Sequence, residues 1–540
     1  MIKYICINNY QLFIMISKNY VKKDKKQENH CIQTGHVFIR PVKCSVCGVR
    51  KQPQRQRLGL EKGGKKMKKC LSVLLSAVMA ASLLGGCGSA DQKPTSPAAT
   101  ESTAEGSTTA EAAPAPEKAE TAPGEKKQIS LWFWSAPADQ QVLLKQIIED
   151  DINAVQDDYV LNIEFHAGND QNIATALAAN GGPDIVFTSG PSYVTNYASA
   201  GKLENLDRYA EKYGWNDRLL EPIYNLGTYE GSLYGLSNSL MVMGVFYNKK
   251  VLSDNGWEVP KTIEEMETIM KAAQEKGLYG SVTGNKGWKP VNANYSSLFL
   301  NHIAGPEKVY ECLKGEAKWN NPDMVEALNK SAEWYQNGWL GGDNYTDLNF
   351  DESVQLLSMG MAPFFVGPSN VFQWAPKYFR GLTEDDFGFF PFPATNDKVK
   401  YPTYTLGVTS CLSINAFSPY KDECAEILDK IMTNDFMVKL TKDWPGYWAI
   451  PLKQYDIPAD TMTGISAVFC DVMIDTLKAI EEGNYGYYTT SFCPPATDVA
   501  LQDIDGVWLG TMSAEEVLDR TDAEFEKELA NGLVVPLPKR

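Results

Sequence analysis

Between Ile129 and Phe187 the chain alternates strand-like and helix-like stretches, an order that few architectures accept. Ile129-Ser-Leu-Trp-Phe-Trp134 reads as a strand running into a turn at Ala136-Pro137. Residues 139–157 then place Val142, Leu143, Ile147, Ile148, Ile152 and Val155 at helical spacing. Val160-Leu-Asn-Ile-Glu-Phe165 is a second strand, closed by Gly168-Asn169-Asp170, and residues 171–180 read as a helix. Pro183-Asp-Ile-Val-Phe187 supplies a third, buried strand. Strand–helix–strand–helix–strand predicts an α/β fold with a mainly parallel sheet and right-handed crossovers. Ligands of such sheets sit beyond the carboxyl ends of the strands, here Trp134-Ser135, Gly168-Asn169-Asp170 and Thr188-Ser189-Gly190.

Further along, residues 262–276 and 323–337 are amphipathic helices by their spacing, and 354–359 a shorter one begun by Asp351-Glu-Ser353. Strands are expected at 235–248, 362–366, 387–390 and 407–414.

The part before this body is of a different nature. Met67 opens MKKCLSVLLSAVMAASLLGGC, in which Lys68 and Lys69 precede an uncharged run from Leu71 to Leu84. That run is shorter than the ~20 apolar residues of a membrane-spanning helix and has the form of a secretory signal peptide. It ends in Leu84-Gly85-Gly86-Cys87, which resembles a bacterial lipobox; small residues admit the peptidase, and the thiol immediately after the cut takes the lipid. Residues 88–128 contain no aromatic residue and no Leu, Ile, Val or Met, so they cannot bury enough apolar surface to offset their ordering entropy. They are read as a tether.

Residues 1–66 are basic and weakly patterned. Cys44-Ser-Val-Cys47, with His30, Cys31 and His36 nearby, has the spacing of half a zinc site but lacks a second well-spaced pair. Gly63-Gly64-Lys65-Lys66 is what a purine-rich ribosome-binding site encodes when read as protein. The expectation is an untranslated upstream extension at 1–66, a lipoprotein signal peptide at 67–86 and a lipidated tether at 87–128.

Charge divides at the same place. Residues 1–86 hold 17 Lys/Arg and 3 Asp/Glu of the chain's 51 and 67, which leaves 34 basic and 64 acidic residues behind them. A body at −30 repels phosphate backbones, so nucleic acid is excluded as its partner. Six of the eleven cysteines lie within residues 1–87. Cys312, Cys411, Cys424, Cys470 and Cys493 are scattered and odd in number, which does not make a disulfide framework.

GGPDIVFTSGPSYVTNYASAGKLENLD (181–207) resembles the N-terminal lobe of the extracellular solute-binding proteins, family 1. These are the sugar-type substrate-binding subunits of ABC importers, related to maltose-binding protein. Gly231-Ser-Leu-Tyr-Gly-Leu236 followed by Val245-Phe-Tyr-Asn-Lys-Lys-Val-Leu252 is similar to the family's signature around its first hinge. MGMAPFFVGPSNVFQW (359–374), FGFFPFPA (387–394), LGVTSCLSINAFSPYKDECAEILDKIM (406–432) and GYWAIP (446–451) follow in the family's order.

The resemblance implies a two-lobe periplasmic-binding-protein-like fold of type II, with a ligand held in the cleft. Lobe one is expected at 129–239 plus 409–452 and lobe two at 240–408 plus 453–540, with hinge strands near 238–243 and 405–409. It further implies a monomer, held on the outer face of the cell membrane by lipid on Cys87. That monomer would pass a carbohydrate to permease subunits and their cytoplasmic ATPase. By that resemblance Met241 or a neighbour stands where maltose-binding protein has a charged residue at the first hinge, which argues against a maltodextrin ligand.

Sugars present apolar C–H faces and a rim of hydroxyls, so their sites combine aromatic plates with amides, hydroxyls and carboxylates. The plates expected from loop position are Trp134, Trp288, Tyr295, Trp374, Tyr447 and Trp448, and the polar groups Ser135, Asn169, Asp170, Ser189, Asn238 and Asn370. Asp184, at a strand entrance, is expected to cap backbone N–H groups.

No cofactor, metal or catalytic residue is expected. The body's two histidines, His166 and His302, stand alone, and no GxSxG, phosphate loop or HExxH occurs. Asp347-x-Asn349-x-Asp351 lacks the glycine and terminal Glu of a calcium loop and is read as a helix cap. The competing reading is a surface glycan-active enzyme, which needs two carboxylates ~5–10 Å apart across the cleft.

Overall fold

A computed structural model describes residues 125–540 apart from 287, 379–385, 394–397, 459–460 and 540. Before residue 125 it describes only three short strands, β1 (Ile2–Ile7), β2 (Tyr10–Met15) and β3 (Ile39–Pro41), which pair antiparallel. The signal-peptide segment, Cys87, Cys44-Ser-Val-Cys47 and the tether up to Gly124 lie outside the described residues. Met1–Thr109 and Ala110–Arg540 are separate units.

The large unit is built on two sheets. The first uses β4 (Lys127–Trp134), β5 (Tyr159–His166) and β6 (Ile185–Thr188), followed by a small hairpin of β7 (Thr228–Tyr229) and β8 (Ser232–Leu233), and then β9 (Gly235–Ser237). The second is built around β10 (Leu240–Asn248), with β11 (Ser281–Val282), β12 (Phe364–Pro368), β13 (Phe387–Pro391) and β14 (Tyr404–Val408). The chain then returns to the first sheet as β15 (Cys411–Ile414) and to the second as β16 (Tyr485–Tyr487). The orders are β5-β4-β6-β15-β9 and β11-β12-β10-β14-β16, with β13 alongside β10.

Alternation explains β4. Ile129, Leu131 and Phe133 are fully buried, while Ser130, Trp132 and Trp134 are only half-buried. Its neighbours β5 and β6 run parallel to it, as the alternating pattern requires. Elsewhere the expectation of mainly parallel sheets is corrected. β15 runs antiparallel to β6 and β9, and β10 antiparallel to β12, β13 and β14; only β11 with β12 and β14 with β16 are parallel in the second sheet. The cause is the crossing strands, which enter each sheet from the other one and so point against its βαβ strands.

Two expected strands prove to be two strands each. The stretch 235–248 breaks at Asn238-Ser239, leaving β9 in one sheet and β10 in the other. The stretch 407–414 breaks at Thr409-Ser410 between β14 and β15. At both breaks a short polar side chain competes with the ladder for backbone partners. The two crossings pair with each other, Thr409 N–H donating to Ser239 O at 3.2 Å.

The helix after β4 is also interrupted. Ala138–Leu144 passes into a π-turn, Lys145–Asp150, before Asp151–Ala154. The wider turn rotates the apolar face, so Leu144, Ile147, Ile148 and Ile152 are buried while Val142 and Val155, expected with them, are exposed.

Asp184 holds the sheet as expected. Its carboxylate accepts from Ser130 N–H at 2.9 Å, Ser130 Oγ at 2.7 Å and Ser418 Oγ at 2.8 Å. Asn349 N-caps the helix Phe350–Ser358 in a capping box with Glu352, so Asp351-Glu-Ser353 belongs to its first turn and the helix starts four residues before 354. Cys312, Cys411, Cys424, Cys470 and Cys493 are all buried. His302 is fully buried, edge-on to Phe392, and burial lowers its pKa to about 3, so it is neutral. Among the described residues no helix is long and apolar enough to cross a membrane.

Candidate functional site

The carboxyl ends of β4, β6, β12 and β14 converge on one cavity of about 190 Å³. Trp134 and Phe187 with Ser189 reach it from the first sheet, and Asn370 and Gln373 from the turn after β12. Thr409 and Ser410, at the second crossing, and Tyr447 with Trp448 complete the wall. Strand ends leave backbone and side chains free of the ladder, which is why a cleft forms there.

The aromatic wall is a stack. Trp444 and Tyr447 lie parallel with centroids 3.9 Å apart, and Tyr447 and Trp448 follow at 5.7 Å. Phe133 and Phe436 back Trp448 from behind, each at 5.9 Å. Trp134 Nε1 donates to the Tyr447 hydroxyl at 3.3 Å and so joins the stack to the end of β4. Burial pushes the Tyr447 phenol well above its ordinary pKa, so the group stays neutral.

The turn carrying this stack touches the turn after β12 at Gly446. Its φ of 81° is left-handed, and a Cβ there would meet Phe372 Cβ at 2.8 Å and Ser369 O at 3.0 Å. Only glycine allows that approach, and it brings Trp444 Nε1 to Gln373 O at 3.0 Å.

None of the lining residues carries a formal charge. The polar rim is made of the Ser189, Thr409 and Ser410 hydroxyls and the Asn370 and Gln373 amides. Asn370 Oδ1 is buried without a protein partner, although a buried acceptor ordinarily has one.

The structure gathers Trp134, Ser189, Asn370, Tyr447 and Trp448 of the expected residues into this cavity. Asn238 lies directly behind it, fully buried. Ser135 is exposed beside Trp134. Asn169 and Asp170 begin the helix Asn169–Ala178; Asn169 is buried, its Nδ2 donating to Trp132 O at 3.4 Å, and neither residue lines the cavity. Trp374 packs edge-on to Phe350 at 5.2 Å, and Trp288 stands 57% exposed on the loop after β11.

Tyr295 is a correction. It lies in the wholly buried helix Asn292–Phe299, edge-on to Trp508, and is 0% exposed. Its loop reading failed because half of this helix is Asn or Ser, buried through long-range hydrogen bonds such as Asn292 Nδ2 to Gln502 O at 2.8 Å and Ser296 Oγ to Leu501 O at 2.7 Å, so no apolar face shows in the sequence. Phe187, Gln373, Thr409 and Ser410 were not foreseen. Thr409-Ser410 sits inside a stretch of continuous strand character, so nothing local in the sequence marks the break there.

Comparison with known proteins agrees with this geometry. A family model described as bacterial extracellular solute-binding protein matches residues 154–462, more than half of the chain. The chain belongs to that family. Over 323 residues it is 24% identical to the maltotriose-binding protein of Pyrococcus abyssi (strain GE5 / Orsay), a stretch that is 58% of this chain and 64% of that protein. The chain thus spans just under two thirds of that relative. Among solved structures, a chitin oligosaccharide binding protein superposes with a TM-score of 0.64 at 17% identity, covering 75% of this chain and 100% of the other. The sugar-binding protein MalE from the phytopathogen Xanthomonas citri gives a TM-score of 0.58 at 16% identity, over 75% and 98% of the two chains. At such identities the likeness shows the fold, which is the two-lobe α/β architecture of periplasmic binding proteins.

Proposed function

We propose that this protein captures a neutral carbohydrate in the cavity between its two sheets and delivers it to the permease of an ABC importer. The observation that carries the reading is the stacked wall of Trp134, Tyr447 and Trp448 facing an uncharged rim of hydroxyls and amides. An indole face removes water from the apolar side of a sugar ring, and the rim then replaces the hydrogen bonds of its hydroxyls. The similar proteins, which are maltotriose-, chitin oligosaccharide- and sugar-binding proteins, support the same ligand class. Lobe one comprises 129–239 and 409–452 and lobe two 240–408 and 453–540. These boundaries are supported by the two sheets, one of β4–β6, β9 and β15 and the other of β10–β14 and β16.

The role is binding rather than catalysis. A glycosidase needs two carboxylates across its cleft, and the cavity lining described above holds neither Asp nor Glu. Cys87 carries lipid after cleavage of a signal peptide that starts at Met67, and residues 88–128 tether the body to the outer face of the membrane. The support for the anchor is the Leu-Gly-Gly-Cys motif behind a short apolar run.

A thermal-shift screen of the soluble chain from Gly88 onward against mono- and oligosaccharides tests the reading, because a ligand bound only by the folded state raises the melting temperature. A neutral sugar is expected to stabilise it reversibly. Stabilisation by amino acids or phosphate alone, or release of cleaved sugar, contradicts it. Mass spectrometry of protein from the native membrane tests the anchor; peptides from residues 1–66 count against it.

A further inference from the structure

We infer that Asn238 is a positioning residue that ties the aromatic wall of the cavity to both crossing strands, so that a ligand on the wall acts directly on the joint between the sheets. The inference rests on the carbohydrate-capture reading and adds to it the link between cavity and joint.

Three segments meet at this one side chain. Asn238 occupies the first break, between β9 and β10, and is 0% exposed. With its amide oxygen turned toward Trp448, it accepts from the indole Nε1–H, while its amide nitrogen donates to Ser410 O at 3.0 Å and Ser410 Oγ at 2.8 Å. Ser410 belongs to the second break, between β14 and β15. Trp448 belongs to the cavity wall. A planar amide accepts through its oxygen and donates through its nitrogen, two separate atoms that face different partners, which the single oxygen of a hydroxyl does not provide. A carboxylate here would face the Ser410 carbonyl without a proton to give.

Neighbouring bonds close the same knot. Leu240 N–H donates to Ala449 O at 2.8 Å, and Ser239 Oγ to Tyr447 O at 3.4 Å. The Thr409 hydroxyl donates to the Ser239 hydroxyl. The stacked residues 447–449 are therefore bonded to the first crossing at three successive positions, and through Asn238 to the second. A shift of Tyr447 and Trp448 against a bound ring cannot occur without moving residues 238–240. Without the Asn238 amide, the Trp448 N–H is buried lacking its partner, and the wall must be reorganised each time a ligand binds.

The test is a double-mutant cycle of Asn238→Leu and Trp448→Phe, read as affinity for the sugar found in the thermal-shift screen. Small-angle scattering with and without that sugar is the second readout. Asn238→Leu matches the volume but removes the amide, and Asn238→Ser serves if the leucine variant does not fold. Asn238→Leu is expected to weaken binding about tenfold, the worth of a buried hydrogen bond at its upper range. The double variant is expected to bind no more than about twofold worse than the weaker single variant, because both changes break one bond. The compaction expected when the wild type binds the sugar should be smaller in both variants. A merely structural Asn238 would lower the melting temperature and leave affinity and compaction unchanged, and that result overturns the inference. So does a double variant whose losses multiply. If the wild type binds no carbohydrate at all, the functional reading falls instead.

Discussion

Replacing Trp134 by alanine separates a binding residue from a core residue most cleanly. Trp134 lies at the end of β4, half-buried, with one face on the cavity and its N–H on Tyr447. Truncation removes a stacking plate from the ligand, and loss of one such aromatic anchor costs ~2 kcal/mol or more of binding. That corresponds to about a thirtyfold weaker affinity. The space left is continuous with the cavity rather than sealed, so the stability cost is expected near ~1–2 kcal/mol, below the ~3–5 kcal/mol of a fully enclosed large aromatic. Tyr295→Ala is the counterpart. Its ring is wholly enclosed against Trp508, so stability is expected to fall by ~3–5 kcal/mol with affinity retained. Trp134→Phe keeps a ring and loses only the bond to Tyr447, which puts its affinity loss below about tenfold. Titration calorimetry measures the affinities and denaturant unfolding the stabilities. If Trp134→Ala unfolds as easily as Tyr295→Ala while its affinity equals that of wild type, the cavity is not where the ligand stacks.

Two further outcomes concern stability alone. Burial holds His302 at a pKa of about 3, whereas the unfolded chain takes up its proton near the ordinary 6.5, so stability is complete above pH 6.5 and is lost as pH falls toward 3. Between pH 7.5 and 4.5 this amounts to roughly 2–3 kcal/mol at ~1.4 kcal/mol per pH unit. His302→Gln should therefore lose less stability than wild type over that interval in urea titrations, and equal losses refute the assignment. Asp184→Asn replaces one acceptor oxygen of the Ser130–Ser418 clamp by a donor, and is expected to cost ~2–3 kcal/mol of unfolding free energy with sugar affinity unchanged.

The sequence by itself determined the elements whose signal is local. The βαβαβ start is written in the alternation of Ile129, Leu131 and Phe133 and in the apolar run 185–187, and both observed strands cover those residues. Asp184 as a clamp and the capped helix at Asn349 were likewise legible, since short-range hydrogen bonds depend on near neighbours. Family motifs in their order pointed to the two-lobe architecture, strand-end position pointed to Trp134 and Ser189, and loop position to Asn370, Tyr447 and Trp448.

Only the tertiary structure decided the rest. Two stretches with continuous strand character became four strands in two sheets, because what breaks them at Asn238 and Ser410 are partners lying far along the chain. The same long-range bonds moved Asn238 from a ligand contact to a support behind the wall. Tyr295 and Trp288 look alike in sequence, yet one is enclosed and the other 57% exposed. Whether an aromatic ring meets solvent, core or cavity depends on which elements pack around it, and that packing is set by contacts hundreds of residues apart.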